Sequence, residues 1–314
     1  MRQTLTPEER ANRLASRQYG AISRRQAFGV GLTPDEIDGK LDARRWLIAV
    51  RSVYVVAGSP ETWQLPIMVA CLAGPPGTVA SHFSAAALFG LTKPPKVPHV
   101  TIPASASGRF GGAIVHKSRL ERIDVCTVGP IPSTRPARTL VDCAGMVSFE
   151  ALCNLVDPAL CRELTDTAGL RAAAERASRS PGRKGLPRLE EVLAVWTPGP
   201  LPGSPAEMRL VRRLVAWGFP IPERQITVAD EQGVFLGRVD LGWPEHRLGL
   251  EYDGGEWHTP RQWASDEARQ YAIEQLGWHI ERVDKFDLRR SSTWLRERLR
   301  RHLPDDLAGI AIVA

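Results

Sequence analysis

The alternation of apolar and polar residues predicts a small sheet in the last third of the chain. Between residues 234 and 258, apolar side chains recur at every second position in two runs, which is the period of a half-buried strand. The first run surrounds Val239 and the second surrounds Leu250. The predicted elements of this part, in order, are a helix at 204–218, strands at 225–228, 237–242 and 247–254, a helix at 261–276, a strand at 278–283 and a helix at 293–303.

Near the N terminus, helix-start signals and apolar spacing predict three short helices followed by two strands. The first helix is expected from about Thr6 to Tyr19, and the second opens at Ser23. The third helix is expected to begin with a capping box, in which Thr33 is the N-cap and Glu36 the third helical residue, and Pro34 occupies its first turn. Alternation over 46–56 predicts a two-stranded wing. The short gap between the second and third helices predicts a winged helix-turn-helix over residues 1–60.

The remaining part of the chain divides into a middle domain and a linker. Residues 61–178 predict a mixed α/β domain, with helices at 63–72, 81–91 and 135–145 and strands at 98–103 and 113–116. His82, His99 and His116 lie far apart in the sequence, so we assign them structural roles rather than a shared ligand site. Residues 179–203 are rich in Pro and Gly and predict a linker. A C-terminal domain then spans 204–314, which holds six of the chain's nine tryptophans, as expected of a separate core.

Three carboxylates fall on one predicted face of the C-terminal sheet. Strict alternation places Glu251 and Asp253 opposite Leu250, and it places Asp240 opposite Val239 and Leu241. Carboxylates held so close repel one another unless a cation lies between them. A hard divalent ion is the natural candidate, because Mg²⁺ prefers oxygen ligands. His258 follows the second strand by a few residues.

An ordered set of residues in this domain resembles the very-short-patch-repair endonuclease group of the PD-(D/E)XK nuclease superfamily. The set comprises Glu207, Asp240 after Arg238-Val239, Glu251-Tyr252-Asp253-Gly254, Trp257-His258, Asp266, Arg269 and Gly277-Trp278. The resemblance covers about a third of the chain and implies a metal-dependent endonuclease. It implies that Asp240 and Glu251 bind Mg²⁺ or Mn²⁺, and that the catalytic set is Glu207, Asp240, Glu251, Asp253 and His258. Asp253 stands where the superfamily commonly has lysine; the short-patch enzymes also lack that lysine and use histidines.

The N-terminal and middle regions resemble the AbiEi family of antitoxins, which repress their own operons. The resemblance implies DNA as a partner and a cognate toxin as another. No membrane partner is expected, because the apolar tail at 307–314 is too short to span a bilayer. The basic residues expected to contact DNA are Arg24, Arg25, Lys40, Arg44, Arg45 and Arg51. Asp35, Glu36 and Asp38 begin the third helix, where carboxylates oppose contact with phosphates. Helix-turn-helix units also dock proteins, so that alternative stays open.

Each candidate catalytic residue also has a structural explanation. Glu207 can complete a capping box with Ser204, and Asp253 before two glycines can cap a turn. Asp266 and Arg269 can pair along a helix, and His258 can cap the helix that follows it. Asp240 is the hardest to explain structurally, because a half-buried carboxylate without a partner is costly.

Composition and charge narrow the class of protein. The fold class expected is α/β, as an α+β multidomain chain, since 314 residues suggest about two domains at roughly 150 residues each. The net charge of +6 favours nucleic acid, although the basic excess lies outside 196–314. Within that region a late basic stripe could follow a phosphate backbone or form a solvated face: Arg282, Lys285, Arg289, Arg290, Arg296, Arg298, Arg300 and Arg301.

Cysteine usage and the chain ends favour a cytoplasmic protein. Five scattered cysteines without a C-x-x-C pair argue against a disulfide framework or a zinc ribbon. No apolar signal-peptide core is present near the start. Two functions therefore remain from the sequence: a DNA-directed, metal-dependent endonuclease, and an antitoxin-type DNA-binding regulator whose nuclease-like domain is inactive.

Overall fold

The computed structural model describes residues 5–107, 112–179, 185–253, 269–284, 286–288 and 293–303. The chain is mixed α/β, as predicted, and divides into two compact units, Met1–Glu190 and Glu191–Ala314. This division falls inside the predicted linker region. Within the described ranges, no helix has both the length and the apolar character that crossing a membrane requires.

The first unit opens with three capped helices and a three-stranded antiparallel sheet. Thr6, Ser23 and Thr33 each accept a hydrogen bond from the third residue of the following helix, and the side chain of that residue returns the contact. The capping box predicted at Thr33 is confirmed. The elements are α1 (Pro7–Arg17), β1 (Ala21–Ser23), α2 (Arg24–Gly29), α3 (Pro34–Asp42), β2 (Trp46–Val50) and β3 (Val53–Val56), with sheet order β1-β3-β2.

The rest of the first unit is a five-stranded sheet with helices. Its helices are α4 (Leu65–Ala73), α5 (His82–Leu88), α6 (Pro136–Ala144), α7 (Phe149–Cys161) and α8 (Thr167–Ser178), and a further helix, α9 (Leu186–Leu193), includes the division between the two units. Its strands are β4 (Val79–Ala80), β5 (His99–Pro103), β6 (Ile114–Ser118), β7 (Val125–Val128) and β8 (Ile131–Thr134), in the order β6-β5-β4-β8-β7. The helices and strands predicted from the sequence here are present within a few residues, whereas α7, α8, β4, β7 and β8 were not predicted.

One hydrophobic core crosses the predicted boundary at residue 60. Ala21 and Val53 are fully buried in the same cluster as Ile67, Val100 and Ile131. The three-stranded sheet therefore shares its interior with the elements that follow it. A second cluster, which includes Ile22, Ile37 and Trp46, lies wholly within the first 60 residues.

Helix α9 lies inside the stretch predicted as a linker. Leu189 and Val192 are fully buried, and Leu193 is 1% exposed. Residues 189, 192, 193 and 196 follow the spacing of one helical face, which the neighbouring Pro and Gly clusters obscure. Residues 186–193 of the stretch predicted as a linker thus form a helix.

The second unit is built on a four-stranded mixed sheet. Its elements are α10 (Pro205–Ala216), β9 (Glu223–Ala229), β10 (Phe235–Trp243), β11 (Leu248–Tyr252), helical residues 269–275 (α11), β12 (His279–Val283) and α12 (Thr293–Arg300). The order is β12-β11-β10-β9, in which β12 runs parallel to β11 and the other pairs are antiparallel. The predicted element order is confirmed over the described residues, and β10 and β11 are the central strands.

Candidate functional site

Asp240 and Glu251 occupy neighbouring central strands. The antiparallel register ends with the pair Leu241–Leu250, so Asp240 and Glu251 are the next residues beyond it on the two strands. The Oδ2 atom of Asp240 accepts a hydrogen bond of 3.1 Å from the backbone N–H of Tyr252. The two acidic residues therefore meet where the ladder between β10 and β11 ends.

The faces of β10 do not follow the strict alternation that the sequence suggested. A Cβ atom at Gly249, the partner of Gly242, would lie 2.7 Å from Val239 Cγ1. Val239 and Gly242 consequently share a face, although alternation would separate them. Gln225 adopts a positive φ of 51° on β9, and the ladder omits the pair that it would form with Asp240. Asp240 therefore lies at an irregularity of the strand, and Val239 and Leu241 face opposite sides of the sheet.

Glu207 on α10 combines a capping role with an electrostatic contact to Asp240. Its side chain, 4% exposed, accepts hydrogen bonds from Gly203 N–H at 2.8 Å, Ser204 Oγ at 3.0 Å and Gln225 Nε2 at 3.1 Å. Burial raises the pKa of Glu207, and the negative charge of Asp240 raises it further, while these donors act in the opposite direction. The helix cap is present, and the two carboxylates lie within electrostatic range of each other.

Glu251 and Asp253 have partners of different kinds. Glu251 Oε1 lies 2.8 Å from Arg269 Nη2, and Arg269 also donates from Nη1 to the carbonyl of Arg238 at 3.2 Å. Asp253 is exposed, and its backbone N–H donates to the carbonyl of Val283. Trp257, His258 and Asp266 lie outside the described residues, so the predicted catalytic histidine has no structural description.

The donor set suits a hard divalent ion chemically. Asp240 and Glu251 offer carboxylate oxygens from adjacent strands, just beyond the last pair of their ladder, and Glu207 adds a third charge within range of Asp240. Like charges gathered in this way raise each other's pKa unless a cation offsets them. Arg269 offsets the charge of Glu251. The charge on Asp240, in contrast, contributes to the raised pKa of Glu207. Mg²⁺ or Mn²⁺ therefore fits the residues present.

A second group of potential metal ligands was not predicted from the sequence. Among the described residues, His279, Glu281 and His302 each offer a ligand atom, and these atoms all lie within 4.8 Å of one another. The alternate placement of His279 and Glu281 on a predicted strand was the available signal. His302 could not be associated with them, because it follows a different element.

Most basic residues proposed to contact DNA are exposed in the first unit. Arg25, Arg44, Arg45 and Arg51 are exposed, and Arg45 Nη1 lies 3.3 Å from Glu8. Arg24 donates from Nη1 to Tyr54 Oη at 3.0 Å and pairs with Asp38 at 3.3 Å.

Lys40 differs from this group because it is only 4% exposed. Its Nζ lies 2.5 Å from Glu8 Oε1, and this contact lowers the pKa of Glu8. Lys40 also lies over the Trp46 ring. In this conformation Lys40 stabilises the fold rather than presenting its charge at the surface.

The late basic stripe is partly tied to the fold. Arg282 donates from Nη2 to Gln270 Oε1 at 2.7 Å, Arg296 donates to the carbonyl of Trp217 at 3.4 Å, and Arg298 donates from Nε to Glu281 Oε1 at 3.0 Å. Arg300 and Arg301 are exposed. The remaining members of the stripe, Lys285, Arg289 and Arg290, lie outside the described residues.

Three histidines that are distant in the sequence stack together in the first unit. The rings of His82 and His116 have centroids 3.6 Å apart, and His99 Nδ1 lies 3.0 Å from His116 Nε2. His82 and His99 are each 5% exposed. Burial, followed by the charge of His116, lowers the pKa of His99 to about 4. The three histidines, for which the sequence predicted structural roles, therefore pack together in one cluster.

Comparison with known proteins places the chain beside mycobacterial proteins that have no assigned function. It is 31% identical over 231 residues to the uncharacterized protein Rv2248 of Mycobacterium tuberculosis strain ATCC 25618 / H37Rv. It matches the uncharacterized protein MT2308 of strain CDC 1551 / Oshkosh to the same extent, and each match covers 72% of this chain and 81% of the relative. No family model matches the chain. The chain belongs to the family of these uncharacterized mycobacterial proteins.

Proposed function

We propose that this protein is a DNA-binding, metal-dependent endonuclease of the very-short-patch-repair type within the PD-(D/E)XK superfamily. The observation that carries the proposal is the hydrogen bond from the N–H of Tyr252, the residue after Glu251, to Asp240 Oδ2, with Glu207 in electrostatic range of Asp240. These positions match the acidic residues of the superfamily pattern. The α-β-β-β-α-β order of the second unit supports the same assignment.

The acidic residues would have different roles in such a reaction. Asp240 and Glu251 would hold the metal ion, and the N–H of Tyr252 fixes one oxygen of Asp240. Glu207, held by three donors, positions the beginning of α10 and contributes charge rather than a free ligand oxygen. Bound Mg²⁺ or Mn²⁺ would lower the pKa of an attacking water and offset charge on the phosphodiester. By the resemblance, His258 would orient or deprotonate that water.

The first unit supports DNA as the partner. Its opening order of α1-β1-α2-α3-β2-β3 supports the winged helix expected from the sequence, and Arg25, Arg44 and Arg51 offer exposed positive charge in the same part of the chain. This arrangement would carry the nuclease to DNA, in repair, in defence against mobile elements or in a toxin-antitoxin system.

The endonuclease proposal is tested by nicking of supercoiled plasmid in Mg²⁺ or Mn²⁺. We expect Asp240→Asn and Glu251→Gln each to lower the rate by at least about 100-fold, which corresponds to roughly 2.7 kcal/mol of lost transition-state stabilisation. Glu231→Gln removes an exposed carboxylate of the same unit and should leave the rate unchanged. Equal nicking rates for wild type and both site variants would contradict the proposal.

A second candidate is an antitoxin-type regulator whose nuclease-like unit does not cleave. The ion pair of 2.8 Å between Arg269 and Glu251 favours it, because a guanidinium already offsets the charge of a presumed metal ligand. Asp253 at the usual lysine position points the same way. This candidate predicts binding to DNA from the protein's own operon, weakened by Arg25→Ala or Arg51→Ala, without metal and without nicking.

A further inference from the structure

A histidine-glutamate-histidine cluster lies on strand β12 and at the end of helix α12. His279 and Glu281 are two residues apart on the strand, so their side chains project from the same face. His279 Nε2 lies 2.9 Å from Glu281 Oε1. His302, which follows α12, stacks on His279 with ring centroids 3.9 Å apart and planes inclined by 13°. Two elements of the second unit are thus joined by three side chains that can bind a metal.

This cluster lies on the opposite face of the sheet from Glu251. The parallel register pairs Leu248 with His279 and Leu250 with Glu281, whereas Glu251 is paired with Arg282. Paired residues of adjacent strands project from the same face, and successive residues alternate. The sheet itself therefore separates the cluster from Glu251 and its partner Arg269.

The environment of Glu281 is one in which a cation is required. Its side chain is 2% exposed, and a carboxylate buried to that extent is costly unless a positive charge neutralises it. Arg298 supplies that charge, with Nε 3.0 Å from Oε1 and Nη2 against Oε2. His279 is 45% exposed and His302 is exposed, so a small ion can reach the cluster from solvent.

From this geometry we propose that His279, Glu281 and His302 bind a late first-row divalent metal ion, with Zn²⁺ as the best-suited occupant. Two imidazoles and one carboxylate are a set of three protein ligands common at zinc sites that keep an open position. The nitrogen ligands favour such an ion over Mg²⁺, which prefers oxygen. The ion takes over from Arg298 in neutralising Glu281 and ties the end of α12 to β12. This site is additional to the proposed Mg²⁺ site and does not depend on nuclease activity.

Zinc binding to the full-length, metal-stripped protein tests the proposal. Zn²⁺ is titrated in competition with a chromogenic chelator while Mg²⁺ is held in large excess, and Co²⁺ absorption reports nitrogen ligation. Wild type should bind one Zn²⁺ at this site. His279→Gln and His302→Gln should each weaken binding by roughly tenfold or more, since even loss of an outer-shell partner costs about 10–100-fold.

Matched variants separate this site from other ligands. His246→Gln removes another histidine of the same unit, and Asp240→Asn alters the proposed Mg²⁺ site. Both variants should bind Zn²⁺ as wild type does. Arg298→Met should raise the affinity, because it removes the competing cation. Circular dichroism verifies that each variant is folded.

Three results would overturn the assignment. The first is the absence of Zn²⁺ binding by wild type, and the second is undiminished binding by folded His279→Gln and His302→Gln. The third is an affinity of Arg298→Met no higher than that of wild type, which would contradict replacement of the guanidinium by the metal. Wild-type protein that binds Zn²⁺ at this site but does not nick plasmid would count against the endonuclease alone.

Discussion

At the scale of single residues, Asp240 and Glu251 differ in how their charges are balanced. Glu251 lies 2.8 Å from the guanidinium of Arg269, whereas Asp240 accepts a neutral backbone N–H and raises the pKa of Glu207. A backbone dipole offsets a full charge less than a guanidinium does. Among the described residues, the charge that no ion pair offsets at this site therefore lies on Asp240 and Glu207.

Neutralising Asp240 should stabilise the metal-free protein. Asp240→Asn keeps an oxygen for the N–H of Tyr252 and removes the charge that raises the pKa of Glu207. We expect the free energy of unfolding of the second unit, measured with urea in EDTA at pH 7, to rise by about 0.5–1 kcal/mol. Glu231→Gln, which removes an exposed negative charge, should change it by less. A loss of stability in Asp240→Asn would contradict this account of the site.

His99 should make the first unit sensitive to acid. Its folded pKa, about 4, lies below the ordinary value of 6.5, so the unfolded chain binds the proton more readily. Stability is therefore full above pH 6.5 and is lost as the pH falls from 6.5 towards 4. The loss between pH 7 and pH 5 should be about 2 kcal/mol, from 1.36 kcal/mol per pKa unit.

The acid sensitivity is measured by urea unfolding of the first unit at the two pH values. His99→Gln should reduce the difference between them, whereas His246→Gln, in the other unit, should preserve it. An NMR titration in which His99 protonates near pH 6.5 would refute the assignment directly.

At the scale of elements, the termini of helices were more predictable than the faces of strands. Thr33, Pro34 and Glu36 stand at fixed offsets from the helix they begin, so sequence alone located α3. The break in alternation at Asp240 depends on the positive φ of Gln225 on a neighbouring strand. Alternation within one strand carries no information about such a partner, so the faces of Val239 and Leu241 were assigned incorrectly.

Close packing between β10 and β11 should make Gly242 sensitive to substitution. A Cβ atom there would lie 2.4 Å from the carbonyl oxygen of Leu248, and backbone cannot move aside as a flexible side chain can. We expect Gly242→Ala to lower the free energy of unfolding by about 2 kcal/mol or more. Denaturant midpoints and slopes of the second unit provide the measurement.

Gly39 provides a contrasting substitution in a helix. A Cβ atom at Gly39 in α3 would meet nothing within 4 Å. Gly39→Ala should therefore raise stability by about 0.4–1 kcal/mol, because it reduces the freedom of the unfolded chain. Similar effects of both alanines would show that backbone approach at β11 is not what limits Gly242.

At the scale of the whole molecule, the first unit holds one core cluster that crosses the predicted boundary at residue 60 and another that lies wholly before it. Ala21 and Val53 belong to a winged-helix pattern in the sequence, yet they are buried with Ile67 and Ile131. A pattern of helix starts and strand periods identifies elements but does not reveal which later segment covers them. The convergence of His82, His99 and His116 escaped prediction for the same reason, since α5, β5 and β6 each contribute one residue.

Fragments of the chain test this division. A fragment of residues 1–190 should unfold cooperatively, whereas 61–190 should not, because it lacks Ala21 and Val53 from the core cluster. Circular dichroism and urea unfolding of the two fragments, beside the full chain, provide the comparison. A fragment 61–190 with the same unfolding midpoint as 1–190 would restore the three-domain division that the sequence suggested.

The interruption of alternation in β10 bears on how this strand tolerates changes in length. Val239 and Leu241 are both fully buried on opposite sides of the sheet, so the segments before and after Asp240 each have an inward side of their own. Deleting the one residue between them would let Val239 and Leu241 keep their opposite faces as successive residues of a simple pleat, but that residue is Asp240, so the deletion would remove the candidate metal ligand. Insertions and deletions in the lineage of this protein should accumulate in the flanking turns and leave the span from Val239 to Leu241 at constant length.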